Sequence, residues 1–348
     1  PVTTSWGGRP AVDERQPYAV PMIYLDVVDA ARNRADAVLI LGSRVGETDW
    51  WGKRPNWRRP SEQRVIQVDI DDASLGLNKA VEYAVLADIK EFLKQVIEGL
   101  RTREEPVDVE SRDAFIEEIV QEKEAARAEL DKALADHDAP MNPAHAAHIC
   151  RKMLDDGAVA VFCGGNTNVW ANFYFENRQP NRMVWTFKMG MLGAGVSQAL
   201  GAAVACPGQQ VCCIIGDGAM GFHPQEIETA VRNDMKVIFL VCSDKQWGMV
   251  KLTQSVAVKP MKTMLKKSLS PEETVNTELG EIEWDALARS MGAHGERVSD
   301  PAELPDAIAR CKEAGSCAVI HVDVHPVKHM WAPGLMHFKA MHQEPKGK

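Results

Sequence analysis

Among the eight cysteines of the 348-residue sequence there is no CxxC pair and no metal-ligand spacing with histidine. That excludes the common zinc-site and thioredoxin-like patterns. Long apolar runs are absent too: nothing approaches the roughly 20 residues of a transmembrane helix, and no signal-peptide pattern is found. These absences predict a cytoplasmic protein with reduced cysteines and no membrane partner. Positive charge is short, with 40 Lys and Arg against 49 Asp and Glu and a net charge of −9. This argues against a nucleic-acid partner, because such binding rests on clustered Lys and Arg that release counterions. The glycines at 190, 193 and 195 stand in the wrong order for GxGxxG, which disfavours NAD. Position 1 carries Pro1 rather than Met, and the sequence opens in a loop, residues 2–10. It is therefore expected to be the carboxyl-terminal portion of something longer.

What is present is globular in composition, 45% hydrophobic and 26% charged, and long enough for two domains. The most informative stretch is 211–248. An apolar run, 211–215, stops at Gly216-Asp217-Gly218, as a buried parallel strand does where its carboxyl end opens into a crevice. Ile227, Ala230 and Val231 then recur at helical spacing, and 237–241 is a second apolar strand. A right-handed strand–helix–strand crossover makes the two strands parallel and brings Asp217 and Asp244 to the same edge of the sheet. A carboxylate there, a second side-chain oxygen and a freed backbone carbonyl suit a hard cation such as Mg²⁺, which takes its other ligands from a diphosphate and water. The glycines let a backbone approach those phosphates.

Elsewhere, 22–36 reads as a helix, 37–42, 64–71 and 83–88 as strands, and 43–55 as a polar and aromatic loop. Arg44 and the Trp50-Trp51 pair could hold a nucleotide, or the loop could pack against a neighbouring subunit. Residues 107–137, dense in charge among alanines, predict a solvated linker helix. Asn142 as cap and Pro143 at the first helical position open a new domain. Its first strand is 158–162, followed by a loop, 164–168, and later by a small-residue helix containing 199–205. Residues 251–280 read as polar and irregular. A helix starts at Trp284, a stop and turn falls at 291–295, a helix covers 301–311, and the last strand is 317–324. Strand–helix alternation predicts an α/β fold with two Rossmann-like parallel-sheet domains. The expected boundaries are 1–105, a linker helix at 106–139, a second domain at 140–330 and a tail at 331–348. Basic groups in that tail (His337, Lys339, His342, Lys346) could meet an anionic substrate, or the tail could be a disordered terminus.

The Gly216-Asp217-Gly218 to Ser243-Asp244 array resembles the diphosphate-binding motif of thiamine diphosphate enzymes, specifically the acetolactate synthase and pyruvate decarboxylase superfamily. The resemblance extends over nearly the whole chain. It implies Asp217 and Asp244 as side-chain Mg²⁺ ligands, Gln246 as donor of a main-chain oxygen, and Asn166, Gly216, Gly218 and Ala219 beside the diphosphate. Gly190 would offer its carbonyl to the aminopyrimidine. Leu192 would wedge the cofactor into its bent form, unless it simply packs a helix. One departure stands out: the family's Asn-Asn reads Ser243-Asp244 here, adding a negative charge beside the diphosphate.

The first portion, with Val68-Asp69-Ile70-Asp71, resembles the second half of the family's middle domain, which binds FAD or ADP in some relatives and nothing in others. The activity implied is C–C bond lyase or carboligase chemistry on a 2-oxo acid, in a homodimer or homotetramer. The alternatives are a 2-hydroxyacyl-CoA or oxalyl-CoA type of lyase or decarboxylase using the basic tail as a lid, and a non-catalytic relative with a weakened cofactor site. The family's activating glutamate belongs to a pyrimidine-binding domain, expected from a missing amino-terminal region or another chain, so no catalytic residue is assigned within this one.

Overall fold

The computed structural model describes residues 1–104, 108–186 and 190–341. The chain divides into two units, one of Pro1–Arg9, Gln16–Glu129 and the stretch from Gly334 onward, the other of Pro10–Arg15 and Leu130–Pro333. Both are α/β with wholly parallel strand pairing, as expected. No helix among the described residues is long and apolar enough to cross a membrane.

In the first unit β1 (Val2–Thr4) pairs with β2 (Ala19–Pro21), and β3 (Ala37–Leu41), β4 (Arg64–Asp69) and β5 (Tyr83–Leu86) form a sheet in that order. Helix α1 (Leu25–Arg34) precedes β3, and α2 (Ile89–Arg101) follows β5. The charged stretch forms a helix as expected, α3 (Val109–Asp131), with most of its residues open to solvent. Its Ile119 is fully buried against Val20, Val27, Val28 and Ala31, and Arg34 of α1 pairs with Glu118 and Glu122 at 3.2 and 2.9 Å. Trp50 and Trp51 both have left-handed backbone, and Trp50 Nε1 donates to Asp29 at 3.1 Å while Arg44 pairs with Glu47 at 2.9 Å. The described part of the tail is also ordered: Leu335–Met341 is a helix with Leu335 and Met341 buried, and Phe338 meets the Trp6 ring edge-on at 4.9 Å. His342 and Lys346 lie outside the described residues.

The second unit is built on six parallel strands: β6 (Val159–Cys163), β7 (Met183–Trp185), β8 (Val211–Gly216), β9 (Val237–Ser243), β10 (His294–Val298) and β11 (Ala318–Asp323). Their order across the sheet is β10-β11-β9-β8-β6-β7. The central strands are continuous apolar runs with every residue of β6, β8 and β9 buried, as a parallel sheet covered on both faces requires. Cys212, Cys213 and Cys242 are among them. After β6 the chain goes outward to β7 and then returns to the other side of β6 as β8. The carboxyl ends of β6 and β8 therefore flank a topological switch point, where a doubly wound sheet leaves a crevice.

Helices connect and cover the strands: α4 (Pro143–Met153), α5 (Gly165–Tyr174), α6 (Ala194–Ala205), α7 (Asp217–Met220) and α8 (Glu226–Arg232). After them come α9 (Gly248–Val258), α10 (Pro260–Lys266), α11 (Trp284–Ser290), α12 (Leu304–Ala314) and α13 (Pro326–Met330). Two expectations are corrected here. The loop read at 164–168 is already the first turn of α5 from Gly165 onward, and the stretch read as irregular from 251 contains most of α9 and all of α10.

Candidate functional site

The last residue of β8, Gly216, is in register with Cys242 of β9, so Asp217 and Asp244 follow at the same edge of two adjacent strands. Both are buried, 7% and 8% exposed. Asp217 opens α7 and is held by three donors: its Oδ1 accepts the Gly218 N–H at 2.7 Å, and its Oδ2 accepts the Ser243 hydroxyl at 3.1 Å and the Lys245 N–H at 2.8 Å. Lys245 reaches that position in a left-handed backbone conformation, φ 58°. Burial, and after it the charge of Asp244, pushes the Asp217 carboxyl up to about 6. Two buried carboxylates that repel one another are an arrangement that a cation between them relieves.

Asp244 is oriented differently. Its Oδ2 accepts from Gln246 Nε2 at 3.1 Å and faces His329 Nδ1 at 2.7 Å. Both contacts fall on one oxygen, leaving Oδ1 as the one it can offer a cation. The Gln246 side chain also donates to the Pro326 carbonyl at 2.9 Å. In the antiparallel bridge of Gln246 with Glu278, the hydrogen bonds use the Trp247 N–H and the Lys245 carbonyl, so the Gln246 carbonyl stays outside it.

From the other side of the switch point come Gly164 and the first turn of α5. Gly164 has φ +96°, and a Cβ there would lie 3.1 Å from the Gly216 backbone nitrogen, so only glycine lets the two strand ends close up. Asn166, 4% exposed, has neither its amide oxygen nor its amide nitrogen paired. A Cβ on Gly248 would stand 2.8 Å from Asn166 Nδ2 and 3.1 Å from Asp244 Oδ2, which places the carboxamide and the carboxylate around the same backbone. Burying both ends of an amide unpaired is costly, and the cost is recovered if a polar ligand binds there. Orphaned amide, paired carboxylates and the N–H groups of a helix start fit a metal–diphosphate.

Asn166, Gly216, Asp217, Gly218, Asp244 and Gln246 are thus brought together. Ala219 is buried in the core beneath them. A Cβ on Gly218 would meet the Trp247 ring at 2.6 Å. Gly190 is exposed and in left-handed conformation, its N–H bonded to the Thr186 carbonyl at 2.9 Å. Leu192 is half-buried and packs against the core cluster that contains Ala219 and Met220. A Cβ on Gly193, three residues beyond Gly190, would fall 2.6 Å from Phe222 Cβ, just past the end of α7. Met189, which precedes Gly190, lies outside the described residues. Sequence reasoning missed Thr167 and His329. His329 falls at the very end of the second expected domain with no role assigned to it, yet it is 4% exposed, and its Nε2 lies 3.0 Å from Thr167 Oγ1. No spacing pattern signals a residue contributed from so far along the chain.

Comparison with known proteins gives two family matches. Residues 164–322 match the thiamine pyrophosphate enzyme C-terminal TPP binding domain, and residues 1–96 match the thiamine pyrophosphate enzyme central domain. A probable acetolactate synthase large subunit of Methanococcus aeolicus is 24% identical over 330 residues, 91% of this chain and 52% of that protein. A probable acetolactate synthase of Mycobacterium bovis is 32% identical over 213 residues, 61% of this chain and 37% of that protein. A sulfoacetaldehyde acetyltransferase of Castellaniella defragrans is 28% identical over 291 residues, 76% of this chain and 45% of that protein. The chain spans about half or less of the length of these curated relatives.

Proposed function

The chain belongs to the thiamine pyrophosphate enzymes of the acetolactate synthase and pyruvate decarboxylase superfamily, and from that premise we propose that it is the cofactor-anchoring part of an acetolactate synthase-like C–C bond lyase or carboligase acting on a 2-oxo acid. The observation that carries this reading is the pair of buried carboxylates, Asp217 and Asp244, beside the unpaired Asn166 at the switch point. Asp217 and Asp244 would hold Mg²⁺ with the Gln246 carbonyl, and Asn166 and the first-turn N–H groups of α5 would receive the diphosphate. Thiamine diphosphate supplies, when bound, the electron sink that carbon–carbon bond chemistry next to a carbonyl needs.

The protein's share is anchoring and shape. The Gly190 carbonyl would fix the aminopyrimidine, and Leu192, seated on the core, would impose the bend. Trp247 packs so closely on Gly218 that no larger residue would fit there. The group that activates the aminopyrimidine would come from a pyrimidine-binding domain outside these residues, in a homodimer or homotetramer. Two measurements test the reading. Mg²⁺-dependent binding of thiamine diphosphate should be detectable by calorimetry. Turnover of a 2-oxo acid should be absent from residues 1–348 alone and appear when a pyrimidine-binding domain is supplied in trans. Cofactor binding that is indifferent to Mg²⁺, or sustained turnover by the isolated chain, would overturn the reading.

A further inference from the structure

Helix α13 is only five residues long, but it is fastened to α5, to the chain before α4 and to the Gln246 side chain beside Asp244. His325 caps it, its ring accepting the Val327 and Lys328 N–H groups at 3.2 and 3.4 Å. The Pro326 carbonyl accepts from Gln246, and the His329 carbonyl accepts from Trp170 Nε1 at 2.9 Å. Outside, Lys328 pairs with Asp136 at 2.6 Å. What this fastening delivers to the site is the His329 ring, with one nitrogen at Asp244 and the other at Thr167. In a neutral ring a carboxylate on Nδ1 requires the proton there, and Nε2 then accepts from the Thr167 hydroxyl. Thr167 is itself confined, because its Oγ1 lies 2.9 Å from where a Cβ on Gly216 would be.

We propose that His329 is a positioning residue for the metal site: the chain Thr167–His329–Asp244 fixes the rotation of the Asp244 carboxylate, so that Oδ2 is occupied and Oδ1 is presented to the cation. The proposal rests on the reading of Asp217 and Asp244 as Mg²⁺ ligands. It also gives Asp244, in place of the family's amide, a physical setting. An asparagine offers one oxygen and needs no fixing of which oxygen points where. A carboxylate offers two equivalent oxygens, and the donor from His329 makes them unequal. Groups that hold a ligand in this way typically contribute 10- to 100-fold to metal affinity.

Two substitutions separate positioning from mere packing. His329→Asn keeps an amide N–H near the position of Nδ1 and so can still donate to Asp244. His329→Gln places its amide near the position of Nε2 and reaches Thr167 instead. The measurement is a calorimetric Mg²⁺ titration of the full chain in the presence of inorganic diphosphate, which engages only residues of this chain. Thermal unfolding of the metal-free variants is recorded alongside. The expected result is that His329→Gln loses roughly 10- to 100-fold in Mg²⁺ affinity while His329→Asn stays within about threefold of the native chain, with similar metal-free unfolding temperatures. If both variants bind like the native chain, or if both lose affinity in step with their unfolding temperatures, His329 only packs. If the native chain itself shows no Mg²⁺-dependent binding of diphosphate while remaining folded, the metal-site reading fails, and this proposal falls with it.

Discussion

Asp217 and Asp244 stand at equivalent places on neighbouring strands, yet their surroundings give them different tolerances. Asp217 is committed through both oxygens to donors from Gly218, Ser243 and Lys245, and it organises the loop as well as facing the site. Asp217→Ala is expected to abolish Mg²⁺-dependent diphosphate binding, since no adjacent side chain can take its place. Asp244→Asn is expected to keep binding within about tenfold, because an amide oxygen still serves a hard cation and repulsion against the phosphates is relieved. Calorimetry at fixed Mg²⁺ and ionic strength distinguishes them, and the opposite pattern would refute the assignment of the pair. A second single-residue effect is purely steric. A Cβ on Gly195 would lie 2.3 Å from Cys163 Cβ, with both atoms tied to backbone in α6 and β6. Gly195→Ala should therefore cost about 1–3 kcal/mol or more in denaturant unfolding.

Secondary structure was legible in proportion to how much of each element's stability is local or central. The start of α4 is an example: Asn142 accepts the Ala144 N–H at 3.1 Å with Pro143 at the first helical position, as its sequence predicts. Asn142→Ala should cost about 1 kcal/mol in thermal or denaturant unfolding. Asn142 also donates to Asp136 Oδ2 at 3.0 Å, which links the cap to the Lys328 pair. Chiefly through Lys328, the Asp136 carboxyl is held at about 2. A depressed carboxyl stabilises the fold above its ordinary value, and that contribution is lost as pH falls toward about 2. Asp136→Asn should thus reduce stability against unfolding at pH 6 by no more than about 1 kcal/mol, for a pair partly open to solvent. The difference should shrink measurably by pH 3.

The elements that escaped the sequence share a physical reason. Strands β7 and β10 are the two edges of the sheet, the one three residues long and the other reading His-Gly-Glu-Arg-Val. An edge strand is covered on one side only and needs no apolar run. Helices α9 and α10 were hidden by their lysines, of which Lys251 is buried on Glu278 at 2.5 Å and Lys262 is paired with Glu273.

At the scale of the whole molecule, both units leave apolar residues uncovered, Met261 and Leu265 of α10 among them in the second. The second surrounds its sheet with helices. In the first, Leu39 and Tyr83, in register on either side of Ile66, are 44% and 57% exposed, and Leu86 is 62% exposed. Helix α2 carries Phe92, Leu93, Val96, Ile97 and Leu100, yet none of its residues is buried. Uncovered apolar surface of this kind favours association when it is contiguous. The isolated chain is expected to bind a hydrophobic dye in its native state and to associate with rising concentration. Leu39→Ser with Leu86→Ser should reduce both. Dye fluorescence and sedimentation check it, and an unresponsive, monomeric native chain would contradict it.

The sequence by itself determined the parallel α/β class, the central strands and the placing of two aspartates at one sheet edge. Each follows from local chemistry: apolar runs, a capped helix start, and glycines at a strand end. Only the tertiary structure decided that the charged helix buries Ile119, that the described tail residues form a packed helix, and that His329 closes on Asp244. Those facts depend on residues far apart in the chain, and a contact of that kind leaves no period or spacing in the sequence. The orphaned Asn166 is of the same sort: its type was legible, but whether its amide is paired is settled only by what folding leaves beside it.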